Sequence, residues 1–240
     1  MDWRSAGLLS FCGALAIFLP EDCLAHLASP GYSGLISTPN AETLQQGQLA
    51  LGFSWINGPE TYLFAPKTNR IYVVTVGILP GLEATLRQTQ VIGWYDPEAP
   101  GVNHAFDRMF SAKYALPLPR EHPRIAIGMQ DIASGNFLTG ARGIKPGATQ
   151  YGQSTLYVVV GEHLWSWSWH LGIGTSQAFL NGLFAGLSYK LNNKAELLAE
   201  WDSTRLNTGV RLTPTPWWAI QLASLNQTTW SINSEIRVSL

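Results

Sequence analysis

Leu164 to Thr175 reads LWSWSWHLGIGT. Trp165, Trp167, Trp169, Leu171 and Ile173 fall on one parity; Ser166, Ser168, His170, Gly172 and Gly174 fall on the other. Period two is the signature of a strand with two different faces. One face is large and apolar, the other small and polar. Three tryptophans on one side of a strand need an apolar surrounding, which is either a protein core or lipid. In a transmembrane barrel the apolar side meets lipid and the polar side lines the lumen.

The same alternation recurs outward from this stretch in both directions. Toward the C-terminus, Leu183 to Leu191, Ala195 to Asp202, Leu206 to Thr213 and Trp217 to Leu225 read as strands. Asn192-Asn193 and Pro214-Thr215-Pro216 read as turns between them. Trp230, Ile232, Ile236, Val238 and Leu240 share a parity in a final strand that is expected to run to the last residue. Toward the N-terminus, Gln48 to Trp55, Arg70 to Leu79, Leu82 to Thr89, Arg108 to Leu116, Arg124 to Asp131 and Ser154 to Gly161 complete about twelve strands. An even count suits a single-chain bacterial barrel, and eight to eleven residues suit a tilted membrane strand. Residues 133–152 are Gly-rich and polar and read as a long loop.

Composition separates lipid from core. The 240 residues are 46% hydrophobic but only 13% charged, against roughly 25% charged in soluble domains. The polar faces consist mainly of Ser, Gly, Asn, Gln and Thr. A secreted β-sandwich that binds carbohydrate has the same alternation but exposes a charged face. Past residue 25 no apolar run is long enough for a membrane helix. Only helices and closed barrels satisfy their backbone in lipid. The fold expected is all-β: a single antiparallel transmembrane β-barrel over residues 26–240, behind a signal peptide over residues 1–25. That leader has Arg4 as its basic end, an apolar run from Ala6 to Leu19, and small residues near Ala25. Cys12 and Cys23 both lie within it. A net charge of −1 implies no nucleic-acid partner. The partner implied is outer-membrane lipid.

On this reading Trp55, Trp165, Trp167, Trp169, Tyr189, Trp201 and Trp230 face the membrane. Trp94, Tyr95, Trp217 and Trp218, with several of these, stand near strand ends as interfacial girdles. Glu83, Arg87, Lys113, Glu196, Glu200, Asp202, Arg211, Glu235 and Arg237 form a polar network in the lumen. Charges in a narrow lumen must be compensated, so Glu196, Glu200 and Asp202 are expected to pair with Arg205 and Arg211, and Glu235 with Arg237. Glu83 and Arg87 are too far apart to pair directly. Either these side chains or the segment before Gln48 could plug the barrel.

Gly31-Tyr32-Ser33-Gly34-Leu35-Ile36-Ser37-Thr38-Pro39-Asn40-Ala41, followed by Gly47-Gln48-Leu49, resembles the N-terminal signature of the YjbH/GfcD family. Pro80-Gly81-Leu82-Glu83 with Arg87, Asp107-Arg108 with Lys113, and Gly128-Met129-Gln130-Asp131-Ile132 are similar to later family segments. So are Leu180-Asn181-Gly182-Leu183-Phe184 and Glu200-Trp201-Asp202. The resemblance implies an outer-membrane barrel linked to exopolysaccharide or capsule production, here as a short, single-barrel version. Polysaccharide and export-machinery proteins are the further partners it implies.

No catalytic residue, cofactor or metal site is expected. Ser166 and Ser168 share a face with His170, but same-face neighbours lie about 7 Å apart, too far for a nucleophile–base contact. A barrel-embedded hydrolase of lipid or glycan is the alternative this cluster would support. Glu200 and Asp202 sit at a spacing conceivable for an inverting glycosidase. His26, His104, His122 and His163 read as solvated loop or turn residues, and no metal-ligand spacing appears.

Overall fold

The computed structural model describes residues 25–57, 68–92, 104–119, 123–132, 154–175 and 180–240. The expected leader up to residue 24, the loop expected over 133–152, Trp94, Tyr95 and His122 lie outside these residues, as do the side chains of 104–107, His104 among them.

Twelve strands close into one barrel. They are β1 (Gln48–Asn57), β2 (Thr68–Leu79), β3 (Leu82–Ile92), β4 (His104–Ala115), β5 (Arg124–Gln130) and β6 (Thr155–Leu164). The second half comprises β7 (Trp167–Thr175), β8 (Gly182–Asn192), β9 (Ala195–Trp201), β10 (Leu206–Thr215), β11 (Trp218–Leu225) and β12 (Thr229–Ser239). Each pairs antiparallel with its chain neighbours, and β1 pairs with β12 along its whole length, from Gln48 opposite Ser239 to Asn57 opposite Trp230. Closure removes every sheet edge, which lets the backbone sit in lipid. Among the described residues no helix is long and apolar enough to cross a membrane.

The alternation predicted from sequence sorts the side chains. Leu51, Phe53 and Trp55 of β1 point out, whereas Gln48, Ala50, Ser54 and Ile56 are buried inside. Ile173, Leu183 and Leu222 are each about half exposed on the outer wall. A continuous exposed apolar band of this kind is foreign to a soluble surface and normal at a lipid-facing wall.

The connections differ at the two ends. Pro80-Gly81, Trp165-Ser166, Asn193-Lys194 and Pro216-Trp217 are two-residue reversals at one end, where β1 begins and β12 finishes. The connections at the other end include 58–67, 93–103 and 131–154, all much longer. Outer-membrane barrels carry short turns on the periplasmic side and long loops outside, which orients the molecule. Aromatics ring both ends. Trp167 and Tyr189 (ring centroids 4.5 Å apart) and the stacked Trp217 and Trp218 mark the short-turn end. Trp55 and Trp230, edge-on at 5.0 Å, mark the long-loop end with Trp201.

Several boundaries differ from expectation. Leu164 to Thr175 is not one strand: Leu164 pairs with Trp167 across a hairpin whose tip is Trp165-Ser166. Trp165 adopts φ +55° and is fully exposed at that tip, so it does not lie on the lipid-facing wall. No Gly, Pro or Asn marks the reversal, and a two-residue turn leaves the alternation from Trp165 onward undisturbed. The turn near Asn192 falls one residue later, because Asn192 pairs with Ala195. β10 runs through Pro214 to Thr215, with an irregularity after Leu212, so the next turn is Pro216-Trp217. β12 stops at Ser239, though the Leu240 N–H still donates to the Gly47 carbonyl at 2.8 Å.

Candidate functional site: a plugged lumen

Residues 25–47, which precede β1, fill the lumen. The segment enters near the short-turn end, rises to Ile36–Thr38, and returns to Gly47 beside the end of β12. It holds its own shape through local bonds. The Ala28 N–H donates to the Tyr32 carbonyl (2.9 Å), the Ser29 N–H to Ile36 (2.8 Å) and the Leu35 N–H to Thr38 (3.0 Å), while the Tyr32 hydroxyl donates to the Ser37 carbonyl (2.7 Å). Gly31 takes φ +107°, and a Cβ there would lie 2.7 Å from both Thr85 and Val73. Only glycine combines that backbone with that approach.

A looped backbone in a lumen needs partners for its polar groups. Three carboxylates on the polar faces of the wall supply them. Glu200 of β9 accepts the N–H groups of Ile36 (3.0 Å), Ser37 (2.8 Å) and Thr38 (3.1 Å), the Thr38 hydroxyl (2.8 Å) and the Asn207 amide (2.9 Å). Glu83 of β3 accepts the Ser33 N–H (2.9 Å), the Ser33 hydroxyl (2.5 Å) and the Leu44 N–H (2.9 Å). Glu235 of β12 accepts the Leu27 N–H (2.6 Å) and contacts His26 Nδ1 (2.6 Å). Cations take the plug's carbonyls. Lys113 donates to Ser33 (2.6 Å) and Asn40 (3.3 Å), Arg211 to Gly34 (3.2 Å) and Leu35 (2.8 Å), and Arg237 to Ala25 (3.3 Å).

The same ions pair with one another: Lys113 with Glu83 at 3.2 Å, Arg211 with Glu196 at 3.0 Å, Arg205 with Asp202 at 3.2 Å and Arg237 with Glu235 at 3.1 Å. The nine residues assigned to the lumen from sequence all face inward. Glu200 is the exception to the expected pairing, since its charge is met by plug N–H groups rather than by an arginine. Arg87 lies against Met109 Sδ. With Glu200 committed to the plug, and Asp202 holding Thr204, Arg205 and Asn207, neither carboxylate is placed for glycoside cleavage.

The segments that carried the family resemblance meet here. The Gly31–Ala41 signature is the plug itself, and Glu83, Lys113 and Glu200 are its anchors. Gly128 leaves room for the Tyr157 ring, since a Cβ there would fall 2.3 Å from it. That ring packs on Tyr32 at 5.8 Å and on Phe184 at 6.4 Å.

Between plug and wall, a cavity of about 860 Å³ remains at the short-turn end. Glu42 of the plug reaches one side of it, where Arg124 of β5 bonds its carboxylate at 2.9 Å. His163 Nε2 contacts the same Glu42 oxygen, and His163 Nδ1 contacts Ser168 Oγ. These contacts correct two readings, those of His163 and His26. His163 is not a solvated loop residue but the last lumen-facing side chain of β6, directly opposite Ser168. His26 is held in the plug by Glu235. Ser168 meets His163 rather than His170, whose Nε2 contacts the Thr38 hydroxyl at 2.8 Å. Sequence reasoning missed Glu42 and His163 because cross-strand register and the plug's path bring them together. Among the described residues, no group of three or more His, Cys, Asp or Glu is arranged to hold a metal ion.

A family model described as "Exopolysaccharide biosynthesis protein YbjH" matches residues 27–240, plug and barrel together. No curated protein matches the chain by sequence. Among solved structures, the KdgM porin is similar at 9% identity and TM-score 0.50, covering 80% of this chain and 99% of its own. The COG4313 outer membrane channel from Pseudomonas putida F1 is similar at 10% identity and TM-score 0.48, covering 85% and 100%. The likeness to KdgM is one of fold, and it places the chain among outer-membrane barrels.

Proposed function

The chain belongs to the YjbH family of exopolysaccharide biosynthesis proteins, and from that premise we propose that it serves the export or assembly of an exopolysaccharide as a plugged barrel in the outer membrane. The observation that carries the reading is the plug. Ala25–Gly47 occupies the lumen and is fastened by Glu83, Glu200 and Glu235. A permanently open pore has no use for such fastening. The barrel's part in export is structural and needs no bond chemistry: it presents its periplasmic mouth to glycan or to export-machinery proteins, and the lumen opens when the plug leaves.

Two measurements test it. Deleting the gene lowers surface polysaccharide, and the intact chain restores it; an unchanged yield refutes the role. In planar bilayers the intact protein conducts weakly, and a chain lacking residues 26–45 conducts as an open pore. Equal conductance refutes the plug's part in it.

A further inference from the structure

We infer that the periplasmic cavity carries an ester-hydrolysing site in which Ser168 is the nucleophile, His163 the general base and Glu42 the group that orients the base, acting on O-acyl esters of a saccharide. The saccharide half of this rests on the family reading above; the ester chemistry does not.

Nucleophilic acyl transfer needs a hydroxyl in contact with a base, and a third group that fixes the base. Those contacts are present. Glu42 meets His163 Nε2, which leaves Nδ1 turned to Ser168 Oγ. Arg124 donates to the same Glu42 oxygen, so the acid has a second partner that holds it beside the histidine. Glu42 is nearly buried while His163 and Ser168 remain accessible from the cavity. The orienting group is thus fixed and the reacting groups are open to a ligand.

The wall also offers a cation for developing charge. Ser168 pairs across the sheet with Ser188, and Lys190 lies two residues further along β8 on the same face. A diagonal neighbour at about 7–8 Å is within reach of a lysine side chain, and Lys190 lines the same cavity, so its ammonium can turn toward charge that develops on a bound carbonyl oxygen. The surroundings select the ester. Glu196, Arg211, Asn192 and Lys190 line the cavity together with Trp165, Trp169 and Pro214, so its wall offers hydrogen-bonding groups beside aromatic and apolar surface, a mixture that suits a sugar ring. Trp165 stands fully exposed on the rim, where an indole face can stack on a sugar ring. A small acyl group on a saccharide hydroxyl fits both features.

The steps balance with water alone. Ser168 Oγ bonds to the acyl carbon and its proton passes to His163 Nδ1. The adduct breaks its bond to the sugar oxygen, which leaves with that proton. Water, deprotonated by His163, then attacks the acyl-serine, releasing the carboxylic acid and restoring Ser168.

The test uses the full chain refolded in detergent, with a fluorophosphonate probe, p-nitrophenyl acetate and O-acetylated alginate. The expected result is probe attachment at Ser168, acetate release from both substrates, loss of both activities in Ser168→Ala, and a drop of about 10²–10⁴-fold in His163→Gln. Ser166→Ala, at the neighbouring turn, keeps full activity. Heat-shifted migration on a detergent gel confirms that each variant is folded. A folded wild-type chain that neither takes the probe nor hydrolyses p-nitrophenyl acetate overturns the site. Activity that survives Ser168→Ala overturns the assignment of the nucleophile. Hydrolysis of p-nitrophenyl acetate without acetate release from alginate overturns the saccharide half. Polysaccharide yield in the deletion strain is a separate readout, so the barrel's role and this site fail independently.

Discussion

Glu200→Gln is the sharpest test of how the plug is held. One Glu200 oxygen accepts the Ile36 and Thr38 N–H groups and the Thr38 hydroxyl; the other accepts the Ser37 N–H and the Asn207 amide. Glutamine keeps the shape but replaces one oxygen with an NH2 group. Whichever way the amide turns, it sets a donor against at least two donors. Each buried donor left without an acceptor costs about 1–3 kcal/mol, so the plug tip loses about 2–6 kcal/mol. Local opening is read by amide hydrogen exchange. Tenfold per 1.4 kcal/mol makes exchange at Ile36, Ser37 and Thr38 about 30-fold faster or more. The assay is exchange mass spectrometry on the refolded barrel, comparing peptides across 33–42 with peptides from β1 and β12. Unchanged exchange at the tip in a folded variant refutes the reasoning. Equal acceleration in strands and plug refutes it too, because that marks loss of the barrel rather than release of the plug.

Lys113→Met strips Glu83 of its counter-charge in a site where both side chains are about 1% exposed. Breaking a buried pair in this way costs about 3–5 kcal/mol, seen as a lower temperature for the folded-to-unfolded band shift on a detergent gel. Gly77→Ala would put a Cβ 1.9 Å from the Gln45 carbonyl oxygen. The plug's return arm must shift, at about 1–3 kcal/mol for such overpacking, and added protease should cut near Gln45 while the strands stay intact. Leu222→Arg places a charge midway along β11 on the lipid face; folding into lipid vesicles, followed by urea titration, should weaken by about 2–4 kcal/mol. An unaltered titration would mean that this wall does not face lipid.

The barrel was legible in the chain because its signal is local. Period two along Phe53-Ser54-Trp55 or Leu171-Gly172-Ile173 sets which side chain faces out, and that needs no knowledge of any other strand. The same rule placed Glu83, Lys113, Glu200 and Glu235 in the lumen. It could not say what they hold. Residues 25–47 have no period, so their path is written in contacts up to 212 residues apart, such as Ala25 with Arg237. The turn at Trp165-Ser166 escaped notice because it breaks no alternation and contains no glycine. Glu42, His163 and Ser168 meet only once the β6–β7 register is set and the plug has returned past them. The sequence by itself therefore determined the walls, since backbone pleating converts alternation directly into inside and outside. Only the tertiary structure decided that the lumen is filled and where reactive groups converge, because those depend on closure of the sheet around a segment with no repeating pattern.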